Sequence, residues 1–223
     1  MLKALLYKEW IKTRWYLLAA LTVTTGFAAY SAYGIHRAVS LRGAAHIWEV
    51  MVTRDAVFID IMQFVPLIAG ILLSIFQFIP EMQRKCLKLT LHLPVPAMVS
   101  TYTMICFGVA ALSICFVISL LAITIPAGNI FPAELTSRII STALPWFLAG
   151  YGGYVFTSWI MLEPAWKTRI ICMAVSVLIL RIFFLAPSPD AYGGFLPWLG
   201  LSVILSSSLV WLSITRFKAG KQD

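Results

Sequence analysis

The sequence carries little charge. Only 12% of its 223 residues are Asp, Glu, Lys or Arg, whereas soluble domains contain about 25%. Hydrophobic residues make up 61% of the chain, and the apolar runs leave no room for a soluble domain. This composition predicts an all-α integral membrane protein with one transmembrane domain over residues 1–223.

Sequence motifs for catalysis and metal binding are also missing. The four cysteines, Cys86, Cys106, Cys115 and Cys172, have no CxxC or other metal-binding spacing, so we expect neither a disulfide nor a metal site. The chain has no HExxH, no GxSxG, no paired carboxylates and no GxxxxGK[ST] nucleotide loop. We therefore predict that it is not an enzyme and holds no cofactor.

Six apolar runs predict six membrane-spanning helices, since a helix needs about 20 apolar residues to cross a bilayer. The runs cover residues 15–33, 56–79, 98–125, 139–162, 170–186 and 195–215. The fifth run is short and carries Arg181 near its end. Gly150-Tyr151-Gly152-Gly153-Tyr154 in the fourth run indicates close helix packing through small residues.

The basic residues are distributed unequally between the two sides that these runs define. Twelve lie on the side of both termini, four lie on the other side, and Arg181 lies within a run. Cytoplasmic loops of membrane proteins are enriched in Lys and Arg, so both termini are predicted to be cytoplasmic. The net charge of +8 is thus attributed to topology and lipid contact rather than to nucleic acid.

Two polar stretches flank the first run. Residues 1–14 are basic, and Leu2, Leu6 and Trp10 form a stripe that suits a helix lying on the cytoplasmic membrane surface. Residues 35–55 are predicted to form an extracytoplasmic loop, with a short interfacial helix around Trp48.

The loop at 81–96 is the most informative segment. Arg84, Lys88 and His92 recur every four residues, Leu87 and Leu91 form an apolar row, and Pro94 stops the helix. This pattern predicts a short amphipathic cytoplasmic helix. From the residues alone, docking to a cytosolic partner and binding to anionic lipid are equally supported.

Two short segments resemble the membrane subunits of ABC-2 type ABC transporters. Lys8-Glu9-Trp10 leads directly into the first membrane helix, and Glu81 precedes a Leu-rich segment that ends Leu93-Pro94-Val95-Pro96. The sequence departs from the family at Lys85-Cys86, where Gly-Thr is common.

The resemblance implies a permease driven by a separate cytosolic ATPase dimer, which holds ATP and Mg²⁺, together with a second permease chain. It implies an interfacial helix at Lys8, Glu9 and Trp10, and ATPase coupling through the loop. The coupling residues would be Glu81, Arg84, Lys85, Leu87, Lys88, Leu91, Leu93 and Pro94.

Polar residues in the first two runs are candidates for a substrate path: Thr22, Thr24, Thr25, Tyr30, Asp60, Gln63 and Gln77. Such residues also commonly bond to backbone or to a neighbouring helix. Asp60 stands out as an intramembrane acid near the outer end, where Arg54 or Arg181 could pair with it.

Two alternatives to an ABC exporter remain. The first is a membrane anchor or assembly subunit that transports nothing and recruits a cytosolic protein through the basic loop. The second is a haem-exporter-like permease, which would have the same fold. A secondary transporter is disfavoured because the chain lacks paired broken helices and has little buried charge.

Overall fold

The computed structural model describes residues 2–55, 57–83, 89, 96–186 and 188–219, and this part of the chain is all-helical, without a β-strand. A short 3-10 helix, Asp60–Met62, precedes α3. The helices are α1 (Leu2–Arg42), α2 (Ala44–Thr53), α3 (Val65–Gln83), α4 (Ala97–Gly128), α5 (Ala133–Leu162), α6 (Trp166–Ile182) and α7 (Leu196–Lys218).

Five helical segments of the described chain are long and apolar enough to cross a membrane. They are α1, Asp60–Gln83, α4, α5 and α7. The fifth predicted run forms α6, which has only 17 residues and is about 26 Å long at 1.5 Å per residue. A typical hydrocarbon core is about 30 Å thick, so α6 falls short of a perpendicular span. The helical, multi-pass character is therefore supported, and the sixth span stays a prediction.

The amino-terminal region differs from the prediction. Residues 1–14 were expected to form a separate surface helix, but α1 continues unbroken from Leu2 to Arg42. It contains no proline, and Gly26 and Gly34 alone do not interrupt it. The predicted loop at 35–55 is likewise mostly helical. It contains the end of α1 and then the short helix α2, which confirms a helix around Trp48. The position of α2 at the membrane surface stays a prediction.

Glycines bring α3 and α5 into close contact. A Cβ atom added to Gly70 would lie 2.0 Å from the carbonyl oxygen of Gly150, and one added to Gly153 would lie 2.7 Å from Leu67. These distances are far below van der Waals contact, so only glycine allows this approach. The packing predicted for the glycine-rich segment of α5 is confirmed.

Three pairs of helices run parallel: α3 with α5, α1 with α4, and α5 with α7. These pairs determine which helix ends lie together. Pro66 and Gly70 of α3 lie against Gly150, while Gln77 lies against Tyr154 further along both helices. Leu2 and Leu6 of α1 share a cavity with the first turns of α4, and Glu163 after α5 contacts the end of α7. The start of α1 and the ends of α3, α5 and α7 therefore form one end of the bundle, here called the basic end.

Candidate functional site

A cluster of charged side chains ties α1 to the last turn of α3 at the basic end. Glu81 Oε1 lies 2.9 Å from the ammonium nitrogens of both Lys8 and Lys12. The same Lys12 nitrogen lies 2.8 Å from Glu9 Oε2 and 2.9 Å from Glu9 Oε1. Two carboxylates thus share the lysine charges, and the repulsion between them is offset.

A neutral hydrogen-bond chain extends this cluster into the bundle. The amide nitrogen of Gln77 donates to Glu9 Oε2 and to the backbone oxygen of Met104, each at 2.9 Å. The Tyr154 hydroxyl donates to the amide oxygen of Gln77 at 2.8 Å. Four helices, α1, α3, α4 and α5, therefore meet in one continuous polar network.

The network is almost completely shielded. Glu9, Gln77 and Tyr154 have no exposed surface, and Glu81 is 2% exposed. Buried ionised groups are costly unless they are paired, so the lysines are needed to hold the carboxylates there. The second oxygen of Glu81, Oε2, is buried without a hydrogen-bond partner in the described part of the chain.

Helical spacing explains why these residues meet. Leu5, Glu9 and Thr13 recur every four residues and form the buried face of α1. Gln77 and Glu81 have the same spacing and lie on the buried face of α3. The Leu2, Leu6 and Trp10 stripe lies on the exposed face of α1. Its contact with the membrane surface stays a prediction.

The structure separates the residues predicted for ATPase coupling. Glu81 belongs to α3 rather than to the following loop, since the helix continues through Pro80 to Gln83. Arg84, Lys85, Leu87, Lys88, Leu91, Leu93 and Pro94 lie outside the described residues. The predicted interfacial residues divide as well: Glu9 is buried, Lys8 is paired, and Trp10 is 51% exposed.

The candidate substrate-path residues of α1 lie around apolar cavities. Thr22 and Tyr30 line a cavity of about 430 Å³ with Gly26 and Ile61. The Thr22 hydroxyl donates to its own helix at Leu18, as polar residues in membrane helices often do. The remaining threonines do not line this cavity: Thr24 is buried, and the Thr25 hydroxyl is buried without a hydrogen-bond partner in the described residues.

The candidates of the second run are split between the two ends. Asp60 and Gln63 line a polar cavity of about 150 Å³ near the end opposite the basic end, together with Asp190 and Tyr192. Among the described ion pairs, neither Arg54 nor Arg181 pairs with Asp60. Gln77 lies towards the other end of α3, and its amide group is hydrogen-bonded within the buried network.

Sequence reasoning missed a third buried acid, Glu163, which follows α5 at the basic end. Glu163 has no exposed surface, accepts a hydrogen bond from Ser213 and lies 3.4 Å from Arg216. Arg169 donates to the Glu163 backbone oxygen at 2.6 Å. The sequence did contain a signal for it. Glu163 is an isolated acid between Leu162 and Pro164, and it is followed closely by Lys167 and Arg169.

In the described residues, no group of three His, Cys, Asp or Glu side chains is arranged to hold a metal ion. The arrangement is instead that of an all-helical bundle with apolar spans, a buried charge network and a basic end. It is compatible with a multi-pass membrane protein. No family model, curated protein or solved structure matches the chain.

Proposed function

We propose that this chain is the transmembrane subunit of an ABC-type exporter in a bacterial cytoplasmic membrane. It would cross the membrane six times with both termini in the cytoplasm. A second permease chain would complete the translocation path, and a separate cytosolic ATPase dimer would supply the energy. The proposal rests on the sequence resemblance and on the buried charge network.

The network carries the proposal because of its position. Glu81, the first of the residues predicted to couple to the ATPase, lies in the last turn of α3. Its carboxylate is held by Lys8 and Lys12 of α1, and Gln77, one turn earlier, reaches Tyr154 of α5. A displacement of the segment that follows Gln83 would therefore act on three membrane helices through short, buried contacts.

The basic end supports the orientation. It contains Lys3, Lys8, Lys12, Arg14, Lys167, Arg169, Arg216 and Lys218, whereas Arg37, Arg42, Arg54 and Arg138 lie towards the other end. Lys and Arg favour the cytoplasmic side, so the network would face the ATPase.

Co-purification tests the partner. The tagged chain, extracted from its native membrane in mild detergent, should bring down a protein with a GxxxxGK[ST] loop and ATP hydrolysis activity. A stable partner without a nucleotide site would instead favour the membrane anchor or assembly subunit.

Variants then test coupling. Glu81→Gln and Leu91→Ala should leave the complex assembled but reduce substrate-stimulated ATP hydrolysis, while Gln83→Ala, at an exposed position, serves as the control. Size-exclusion chromatography would confirm that each variant is folded. Unchanged stimulation in both variants would contradict the coupling role of this region.

A further inference from the structure

A corner of the basic end, formed by the start of α6 and the end of α7, has more positive than negative charge. Four cations lie here: Lys167, Arg169, Arg216 and Lys218. Within the described stretches 163–169 and 213–219, Glu163 is the one acid. Glu163 is fully buried and interacts with Arg216 at 3.4 Å, a loose ion pair. One buried carboxylate cannot neutralise four cations.

Arg169 is the one of these cations with a buried side-chain nitrogen that lacks a hydrogen-bond partner in the described residues. One of its terminal nitrogens donates to the Glu163 backbone oxygen, and its guanidinium lies 5.5 Å from the centre of the Trp166 ring. Its Nε atom is buried without a hydrogen-bond partner in the described residues. A partly buried guanidinium without a carboxylate partner is unfavourable, and an oxyanion would satisfy it.

The surrounding side chains suit a membrane interface. Trp166 is 67% exposed, and tryptophan concentrates at the headgroup level of bilayers. Lys167 and Lys218 are exposed, and the side chain of Arg216 is 37% exposed. Next to them, α6 presents apolar residues such as Ile170 and Ile171 to its surroundings, where acyl chains would pack.

We propose that this corner binds the phosphate of an anionic phospholipid, with Arg169 and Arg216 at its base and Lys167 and Lys218 at its rim. Trp166 would lie beside the glycerol region of the lipid. The site goes beyond the transport proposal and does not depend on it, since an anchor protein could hold the same lipid.

Native mass spectrometry of the purified chain, titrated with phosphatidylglycerol or phosphatidylcholine of equal chain length, tests the site. The wild-type chain should retain phosphatidylglycerol more tightly. Lys167→Gln/Lys218→Gln should weaken the tightest phosphatidylglycerol site by about fivefold for each lysine, from the usual effect of one basic residue near an anionic surface.

A charge-matched control separates a specific site from general attraction. Lys3→Gln/Arg14→Gln removes two exposed cations of the same end from α1 and should leave the tightest site unchanged. Equal losses in both double variants, or equal retention of the two lipids, would overturn the proposal.

The location and the ligand source need separate measurements. A phosphatidylglycerol with a photoactivatable headgroup should cross-link to peptides containing residues 163–169 or 213–219, and labelling confined to other peptides would contradict the site. Inorganic phosphate at millimolar concentration should not displace the lipid. Full displacement would show a free-anion site and would reject the lipid.

Discussion

The Tyr154 hydroxyl shows how one buried polar atom can link helices that are distant in sequence. It donates to Gln77, 77 positions earlier in the chain, in the interior of the bundle. Helix–helix hydrogen bonds in membranes contribute about 0.6 kcal/mol on average and up to about 1.7 kcal/mol. Tyr154→Phe, which keeps the ring and removes the donor, should lower stability by about 1 kcal/mol, measured as unfolding in detergent by circular dichroism.

Tyr30→Phe is the matched control for that experiment, because Tyr30 is 60% exposed and lies on α1 away from the network. It should leave stability unchanged. If the two variants behave alike, the Tyr154 hydrogen bond makes no measurable contribution.

Lys12 has the largest expected effect on stability of any residue in the network. It contacts both Glu9 and Glu81, so Lys12→Met would leave two buried carboxylates with Lys8 as their remaining cation. Breaking a buried pair costs about 3–5 kcal/mol, and because Lys8 stays, we expect a loss near 3 kcal/mol. Chemical denaturation in mixed micelles measures it.

Two further variants serve as controls for this prediction. Lys12→Arg keeps the charge and should recover most of the stability, whereas Arg14→Met removes an exposed cation two residues away and should have little effect. A Lys12→Met variant as stable as the Arg14→Met variant would show that the carboxylates do not require the lysine.

At the residue level, the sequence did not predict which polar side chains are buried together. Glu9 was placed in a surface helix because it lies in the basic segment 1–14 and in the Lys8-Glu9-Trp10 segment that carries the family resemblance. The structure buries it because Lys12 and Gln77 offset the cost of its desolvation. Lys12 lies about one turn away on the same helix, but Gln77 approaches only through tertiary packing. Glu163 was overlooked for the same reason, since its partner Ser213 is 50 residues away.

Among the elements, the α3–α5 contact is the most sensitive to a single methyl group. Gly70→Ala would place a Cβ atom 2.0 Å from the Gly150 carbonyl oxygen, so the helices would have to separate. Overpacking of this kind costs about 1–3 kcal/mol. A lower melting temperature in detergent is the expected result.

Gly26→Ala provides the comparison, because nothing lies within 4 Å of the added Cβ atom. It should be neutral or stabilising by about 0.5–1 kcal/mol, since alanine is the better helix former. Equal melting temperatures for the two variants would mean that α3 and α5 do not approach as closely as the structure shows.

The elements also show which boundaries a sequence pattern can predict. Apolar runs locate α3, α4, α5 and α7, because a span needs a continuous apolar stretch. The ends of α1 were not predictable in this way, since its first 13 residues and last nine are polar enough to suit a loop or a surface helix. Without proline or an effective cap, helix propensity carries α1 through both regions.

For the whole molecule, the number of spans decides where the carboxyl terminus lies. Six spans place both termini on one side of the membrane. In a five-span chain α6 would not cross, and the carboxyl terminus would lie on the opposite side from the amino terminus. The basic end favours six, because the start of α1 and the end of α7 lie at the same end of the bundle, although no membrane entered the structure. The short α6 would then cross where the bilayer thins or where Arg181 extends to the interface.

Single cysteines in a cysteine-free background test this topology in intact cells, labelled with a maleimide that cannot cross membranes. His46→Cys and Ser188→Cys, at exposed positions near the end opposite the basic end, should react without permeabilisation. Lys3→Cys and Lys218→Cys should react only after the membrane is opened. If Lys218→Cys reacts in intact cells while Lys3→Cys does not, the termini lie on opposite sides. The six-span arrangement and a cytoplasmic position for the α7 end would then both be rejected.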